Sequence, residues 1–456
     1  MSSIWPYILP LPVKLNEQAR VLLSAFGSED AIEILRFMPV RGFVSQQEIV
    51  DLFKDKRSDK TVVKRLKQLV RAGLLEESTG RAESRGKTVW VRRYRLTKLG
   101  AWISMLLSSP KLVEDEYVRE LSVELFKLYA ESVARFCVDY KVSPRLLLKS
   151  FLKSYLSSLA ASTRRSVDAA VFGSMALDYE IPVGSLPLAE ETYFTSEAVV
   201  LPGGMAANVA AALAQMGVAV ALMARVGADE AALIAMARLA ELGVDLSSIV
   251  VSEEAETART FVLIAEDGRK QVVLPARRET SLSLTSPSEV SWSRVEESKL
   301  VYVGEVYTEI ARVVAGYARD REKTVVYRPG LPILKSRGRQ ALEVAKLADV
   351  FILNMESARA IGGWREKLME LVRDGCEAVI VTLGSRGCMV LRREGVVELL
   401  AERASARDTT GAGDVFSAGL ARELLRGADI EHAAEFGLRL SARSVSEVGG
   451  RYKLAD

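Results

Sequence analysis

The chain has 456 residues, of which 49% are hydrophobic and 27% charged, with a formal net charge of +3, enough to bury a large core and long enough for two or three domains. No apolar run approaches the ~20 residues that span a bilayer, and the first fifteen residues are broken by Pro6, Pro10 and Pro12 without a basic leader, so a cytoplasmic protein is expected. Cys137, Cys376, Cys388 and the lone His432 are too few and too scattered for a disulfide framework, a zinc site or a Ser-His or Cys-His nucleophile, which leaves carboxylate-based chemistry.

Charge is partitioned along the chain. Residues 1–110 hold 19 Lys and Arg against 11 Asp and Glu, a net +8, so the remaining 346 residues carry −5. Local basicity of this kind points to an anionic polymer as partner of the first segment alone. Apolar spacing predicts helices over 30–38 and 45–53, with Gly42 as the turn between them and Ser45 as an N-cap. A third helix is predicted over 59–72, stopped by Gly73. On it Val62, Val63, Leu66, Leu69 and Val70 share one face, and Lys60, Lys64, Lys67 and Arg71 form the opposite stripe. Residues 74–78 and 88–96 predict a hairpin across a basic loop containing Arg81, Arg85 and Lys87. The run from Gly80 to Thr88 nearly spells a Walker A phosphate loop, but it is one residue too long and leads into a strand instead of a helix.

Three helices and a basic hairpin resemble a winged helix-turn-helix domain, over about 1–108. The resemblance implies that the third helix reads a groove of double-stranded DNA and the hairpin tip touches phosphates. It would give those roles to Lys60, Lys64, Lys67 and Arg71, and to Arg81, Arg85 and Lys87. The other reading is a solvated charged face on a protein-interaction module. Residues 109–165 are helical almost throughout, with Pro144 starting a helix, and are expected to pair two copies into a homodimer or to pack back on a neighbouring domain.

From 166 onward, buried apolar runs alternate with amphipathic helices, the pattern of an α/β domain with a mainly parallel sheet covered on both faces. Strands are predicted over 167–172, 218–223, 300–303, 324–327, 350–353 and 378–382, and ligands in such sheets collect beyond the strand C-termini. Runs 259–265 and 269–275 flank Asp267-Gly268 as a hairpin, which 192–200 is expected to join in a small sheet.

The most informative stretch is Asp408-Thr-Thr-Gly-Ala-Gly-Asp414-Val-Phe-Ser-Ala-Gly-Leu420. Gly411 and Gly413 let backbone amides crowd around an anion, the helix behind them presents its positive dipole end, and Asp414 can draw a proton from an attacking hydroxyl. The alternative is an ordinary loop in which Asp414 caps a helix. With Leu201-Pro-Gly203-Gly204-Met-Ala-Ala-Asn208-Val-Ala, Met216-Gly217 and Arg225-Val-Gly227-Ala-Asp229 upstream, these residues resemble the two signatures of the PfkB, or ribokinase-like, carbohydrate kinases over residues 166–456.

That resemblance implies a ribokinase-like three-layer sandwich with a small β lid, using ATP and Mg2+. It assigns Asp414 as the catalytic base, with Gly411, Ala412 and Gly413 as the anion hole. Asp178, Gly203, Gly204, Asn208 and Glu305 would surround a sugar, and Asn354, Thr382, Gly384 and Gly387 would lie on the nucleotide side. Asp408 and Thr410 would border a monovalent cation such as K+. Magnesium is expected to be held mainly by nucleotide phosphates and water.

Two departures stand out. Ser357 occupies the place of the family glutamate in Asn354-Met-Glu356-Ser357, and Arg328 replaces the usual aspartate before Pro329. The expected function is ATP-dependent phosphorylation of a hydroxyl on a sugar, sugar phosphate or nucleoside by a kinase fused to a DNA-binding domain. The rival expectation is a sugar- or nucleoside-sensing transcription regulator whose kinase-like domain is weakly active or inactive.

Overall fold

A computed structural model describes residues 28–39, 41–84, 87–107, 115–186, 198–267, 269–275, 280–281 and 283–446, with 192, 194–195, 449 and 454. The chain forms two compact units, Met1–Leu146 and Leu147–Asp456. In the first, α1 (Glu29–Phe37), α2 (Gln46–Leu52) and α3 (Asp59–Arg71) pack through buried Ile34, Leu35, Ile49, Phe53, Leu66 and Leu69. Ser45 and Glu48 close a capping box on α2, and Ser58 caps α3 through the Thr61 amide, so these two helices start where a hydroxyl satisfies an orphan donor.

Strands β1 (Val44–Ser45), β2 (Leu75–Ser84) and β3 (Lys87–Leu96) make an antiparallel sheet in the order β1-β3-β2. The hairpin is longer than the sequence pattern predicts. Pairing runs from Leu75↔Leu96 to Ser84↔Lys87, so Arg81 and Lys87 belong to strands and not to a loop. The β-branched and aromatic residues of β3 hold a partner strand that is itself poor in strand formers. Arg81 lies over the exposed Trp90 ring at 5.4 Å, whereas Arg85 lies outside the described residues. The helices α4 (Lys98–Leu107) and α5 (Asp115–Tyr140) follow, α4 adding Ala101 and Ile103 to the same core.

Helix α6 (Pro144–Ser162) buries Leu156 and Ala160 in the core of the second unit, and Leu246 N–H donates to Thr163 Oγ1 just beyond it at 2.7 Å. The last joining helix is therefore anchored to the α/β unit. Chain order continues with β4 (Ala169–Phe172), β5 (Ala176–Val183), β6 (Val199–Gly203), α7 (Met205–Gln215), β7 (Val220–Met223), β8 (Arg225–Gly227) and α8 (Glu230–Glu241). Next come β9 (Val250–Ser252), β10 (Glu256–Ala265), β11 (Lys270–Val273), β12 (Thr280–Ser281), α9 (Trp292–Glu297), β13 (Leu300–Val303), α10 (Thr308–Arg319), β14 (Thr324–Tyr327) and α11 (Leu331–Ala345). The unit ends with β15 (Val350–Asn354), α12 (Met355–Ala360), α13 (Trp364–Arg373), β16 (Ala378–Thr382), β17 (Cys388–Arg392), β18 (Gly395–Leu399), α14 (Ala412–Leu425) and α15 (Ile430–Ser444).

Eight strands form the large sheet in the order β18-β17-β16-β15-β14-β13-β4-β7, parallel from β16 to β7, with β17 and β18 antiparallel at one edge. Side chains alternate between two cores. On β13, Leu300 and Tyr302 face one layer, with α7, α8, α14 and α15, while Val301 and Val303 face the other, with α10, α11 and α13. A smaller sheet runs β11-β10-β5-β6, with β12 beside β10. Its strand β5 had no sequence forecast, and Asp178 lies within it, opposite Leu201 of β6 and Thr260 of β10.

All three cysteines are free and buried, and burial pushes the Cys376 and Cys388 thiols up to about 12, so neither offers a thiolate near neutral pH. Among the described residues no helix is long and apolar enough to cross a membrane.

Candidate active site

Adjacent strands β4, β13 and β14 each hand one polar residue to the same region, Ser174, Glu305 and Arg328, beyond their C-terminal ends. Ser174 Oγ donates to Glu305 Oε2 and accepts from the Met205 amide at 3.1 Å, which ties the end of β4 to the start of α7. Burial pushes the Glu305 carboxyl up to about 7. The Ser174 hydrogen bond and the Arg328 charge oppose that rise, and the Asp414 charge adds to it.

The sign of the resulting pH dependence is fixed. Because the folded value lies above the ordinary 4.5, the folded chain holds the extra proton, and stability falls as pH rises from about 4.5 to about 7. Glu305→Gln removes that titration. Its thermal melts are expected to gain on those of the parent between pH 5 and pH 8, by up to ~3 kcal/mol. An equal difference at both pH values would refute this.

Asp414 sits in the first turn of α14 and is buried. It is not the cap of that helix, because Gly411 occupies the N-cap position with φ +74°, a left-handed turn that costs glycine little. The turn at Gly411 sets Ala412 and Gly413 at the positive end of α14, and the Asp414 amide donates to the Gly411 carbonyl at 2.9 Å. Both carboxylate oxygens of Asp414 are engaged. Asn208 Nδ2 donates to Oδ2 at 2.7 Å, and Arg328 Nη1 donates to Oδ1 at 2.5 Å. The guanidinium also overhangs the glycine loop, since a Cβ on Gly413 would stand 2.7 Å from Arg328 Nη2. Arg328 therefore bridges the Asp414 carboxylate and the glycine turn.

Asp178 is buried on β5 with its carboxylate against the Gly203 backbone: a Cβ there would lie 2.0 Å from Oδ1. Gly204, at φ +90°, then opens α7, which carries Asn208 to Asp414. The Gly203-Gly204 pair thus packs against Asp178 of β5 and leads into the helix of Asn208, with Glu305 tied to the start of that helix through Ser174. Gly203→Ala is expected to displace the Asp178 carboxylate and raise the acceptor KM on the order of tenfold, the loss of one charged hydrogen bond. An unchanged KM would show that Asp178 does not touch the acceptor.

Thr382, Gly384 and Gly387 line a cleft together with Ala412, Gly413 and Ser441, so three of the four residues expected on the nucleotide side share a wall with the glycine loop. Asn354 does not line this cleft. Its Oδ1 accepts from the Ser357 amide at 2.8 Å and caps α12. Ser357 is buried, whereas Glu356 is exposed and approaches Lys335 at 3.7 Å, so Glu356 does not move into the place of the missing glutamate.

Asp408 is buried and accepts from the amides of Thr410 at 2.8 Å and Gly449 at 3.1 Å. Lys270 Nζ from β11 stands between it and Thr410, at 3.0 Å from Asp408 Oδ1 and 2.5 Å from Thr410 Oγ1. Burial raises the Asp408 carboxyl, but the Thr410 and Lys270 contacts outweigh it and hold it below the usual carboxylate range. Among the described residues no group of three or more His, Cys, Asp or Glu side chains converges.

Sequence reasoning assigned no role to Ser174 or Lys270, and noted Arg328 as a departure that could either select an anionic ligand or pair with a neighbouring carboxylate; the pairing with Asp414 is the second of these. Ser174 lies two residues beyond a predicted strand, where ligands of such sheets collect, so that rule would have found it. Lys270 carries no local signal, because only the chain's return in the small sheet brings it to Asp408.

The pfkB family carbohydrate kinase profile matches residues 167–456. The chain is 30% identical over 251 residues to an ATP-dependent ribose-1-phosphate kinase of Halopiger xanaduensis, covering 55% of this chain and 82% of that protein. It is 26% identical over 289 or so aligned positions to bacterial ribokinases, among them that of Haemophilus influenzae, covering 62% of this chain and 93% of that protein. In fold it superimposes on the adenosine kinase of Sinorhizobium meliloti with a TM-score of 0.54 at 21% identity, covering 62% of this chain and 95% of that one. An α/β sandwich with a glycine turn, a buried carboxylate and this match over most of its length place the chain in the pfkB family of carbohydrate kinases.

Proposed function

We propose that the protein transfers the γ-phosphoryl group of ATP to a hydroxyl of a sugar, sugar phosphate or nucleoside in the cytoplasm. The observation that carries this reading is the buried Asp414 at the start of α14, joined to Asn208 of the α7 turn and adjoining the cleft of Thr382, Gly384 and Gly387. The acceptor oxygen attacks the γ-phosphorus, the bond to the β-phosphate oxygen breaks, ADP leaves and the hydroxyl proton passes to Asp414. Amides of residues 411–413 and the Arg328 guanidinium take up the charge on the transferring group. Magnesium would be held mainly by the nucleotide phosphates and would supply further charge neutralisation there.

Arg328 narrows the acceptor. It occupies one oxygen of Asp414, and a phosphate on the acceptor would compete for the guanidinium and free that oxygen. This favours a phosphorylated sugar, in keeping with the ribose-1-phosphate kinase relative. The test is acceptor-dependent ADP release from Mg-ATP over a panel of pentoses, hexoses, sugar phosphates and nucleosides. Release with at least one acceptor is expected, fastest with a sugar phosphate. Release with none would leave the rival reading, a ligand-sensing regulator, for which the capped state of Asp414 and the burial of Ser357 speak.

For the first unit the reading is a winged-helix domain over 1–108 that binds double-stranded DNA, with 109–165 joining it to the kinase domain 166–456. Lys60, Lys64, Lys67 and Arg71 are exposed along α3, and none of the four forms an ion pair with the described residues. A homodimer is proposed through the joining helices, where Phe126, Phe136, Val138 and Tyr140 of α5 and Leu148, Phe151 and Tyr155 of α6 are exposed.

A further inference from the structure

The residues around Asp408 do not suit a free monovalent cation, because a side-chain ammonium already lies there. We infer that Lys270 is a positioning residue whose ammonium takes the place of that cation, so that phosphoryl transfer proceeds without potassium. The inference rests on the kinase reading above and extends it to a residue outside both sequence signatures.

Three observations carry it. Lys270 Nζ contacts both Asp408 Oδ1 and Thr410 Oγ1, the two groups the resemblance assigns to the cation. Both partners are sequestered, Asp408 at 1% and Lys270 at 18% side-chain exposure, so the pair is shielded from salt in a way that surface pairs are not. Asp408 is also fixed by the Thr410 and Gly449 amides, three residues before the turn at Gly411. Without a neighbouring positive charge, this carboxylate would face the loop that must accept a transferring phosphoryl group, and like charges disfavour that approach. Lys270 supplies the charge from β11, which pairs with β10, itself paired with the Asp178 strand β5. One side chain thus links the sheet that holds Asp178 to the loop that leads into the anion hole. A mobile ion could neutralise Asp408 but could not make that link.

The test compares the parent, Lys270→Met and Lys270→Arg in KCl and in tetramethylammonium chloride of equal ionic strength, the full-length protein being assayed for ADP release. The parent is expected to be indifferent to the salt. Lys270→Met should lose on the order of tenfold or more in kcat in tetramethylammonium and recover most of it in KCl, with KM for ATP changed less, while Lys270→Arg stays potassium-independent. Activation of the parent by potassium, or a Lys270→Met enzyme indifferent to both substitution and salt, would overturn the inference.

Thermal melting provides a readout that does not need turnover. Potassium is expected to raise the melting temperature of Lys270→Met by several degrees and to leave the parent unmoved, and the opposite pattern would count against the inference. A chain with no kinase activity but with this melting pattern would refute the kinase reading and keep the assignment of Lys270.

Discussion

Asp414→Asn is expected to lower kcat by ~10³-fold while leaving KM for ATP and acceptor within a few fold. An asparagine has nearly the same shape and can still accept from Asn208 Nδ2, now held at 2.7 Å by the carboxylate, but it cannot take the acceptor proton. It also removes the charge facing Arg328, and breaking one side of a buried pair is destabilising, so melting curves must accompany the kinetics. A loss in kcat with KM preserved and the protein still folded at the assay temperature is the expected signature. A variant within tenfold of the parent kcat would remove Asp414 from proton transfer. Arg328→Met then separates base from latch: it frees Asp414 Oδ1 but removes the anion-binding cation, so neutral acceptors should suffer less than phosphorylated ones.

The triple variant Lys60→Ala, Lys64→Ala and Lys67→Ala is expected to weaken binding to duplex DNA by about a hundredfold or more near 0.1 M salt. It should reduce the slope of log affinity against log salt by about 3, one unit per lost phosphate contact. Fold damage is not a competing explanation, because all three side chains are exposed while Val62, Leu66 and Leu69 on the opposite face make the core contacts. Titrations of a labelled duplex at several salt concentrations read both quantities. Absent binding, or binding by the parent that does not change with salt, would retire the DNA-binding reading and leave α3 as a solvated face.

The parts that were legible in the sequence are those set by short-range patterning. Continuous apolar runs located β4, β7 and β13 to β16 to within two residues, because buried parallel strands need no alternation. Ser45 and Gly73 marked a helix start and stop because capping and turn chemistry are local. Strand β5 escaped because it follows β4 after only three residues and mixes Asp178, Glu180 and Pro182 with apolar positions, so its identity depends on pairing with β6 and β10. For the same reason Arg81 looked like part of a loop until β3 was seen to carry its partner strand to Ser84.

At the site, Gly411 to Asp414 and Gly203 to Asn208 each lie within one helix entry, and a local pattern can describe such a group. Arg328 on Asp414 and Lys270 on Asp408 join residues 86 and 138 positions apart, and no spacing rule reaches that far. Asn354 shows the opposite limit: the same Asn-x-x pattern serves equally as a helix cap, and the hydrogen bond to the Ser357 amide takes that option.

The central claim is that the amides at 411–413 and the carboxylate of Asp414 embrace one transferring phosphoryl group. A crystal structure with ADP, magnesium, aluminium fluoride and an accepted sugar tests it most directly. The account predicts the planar fluoride group about 3 Å from those amides, the acceptor hydroxyl in hydrogen-bond reach of an Asp414 oxygen, and Arg328 turned from the carboxylate toward the anion. A fluoride group bound elsewhere, with Asp414 still closed on Arg328 and Asn208, would contradict it.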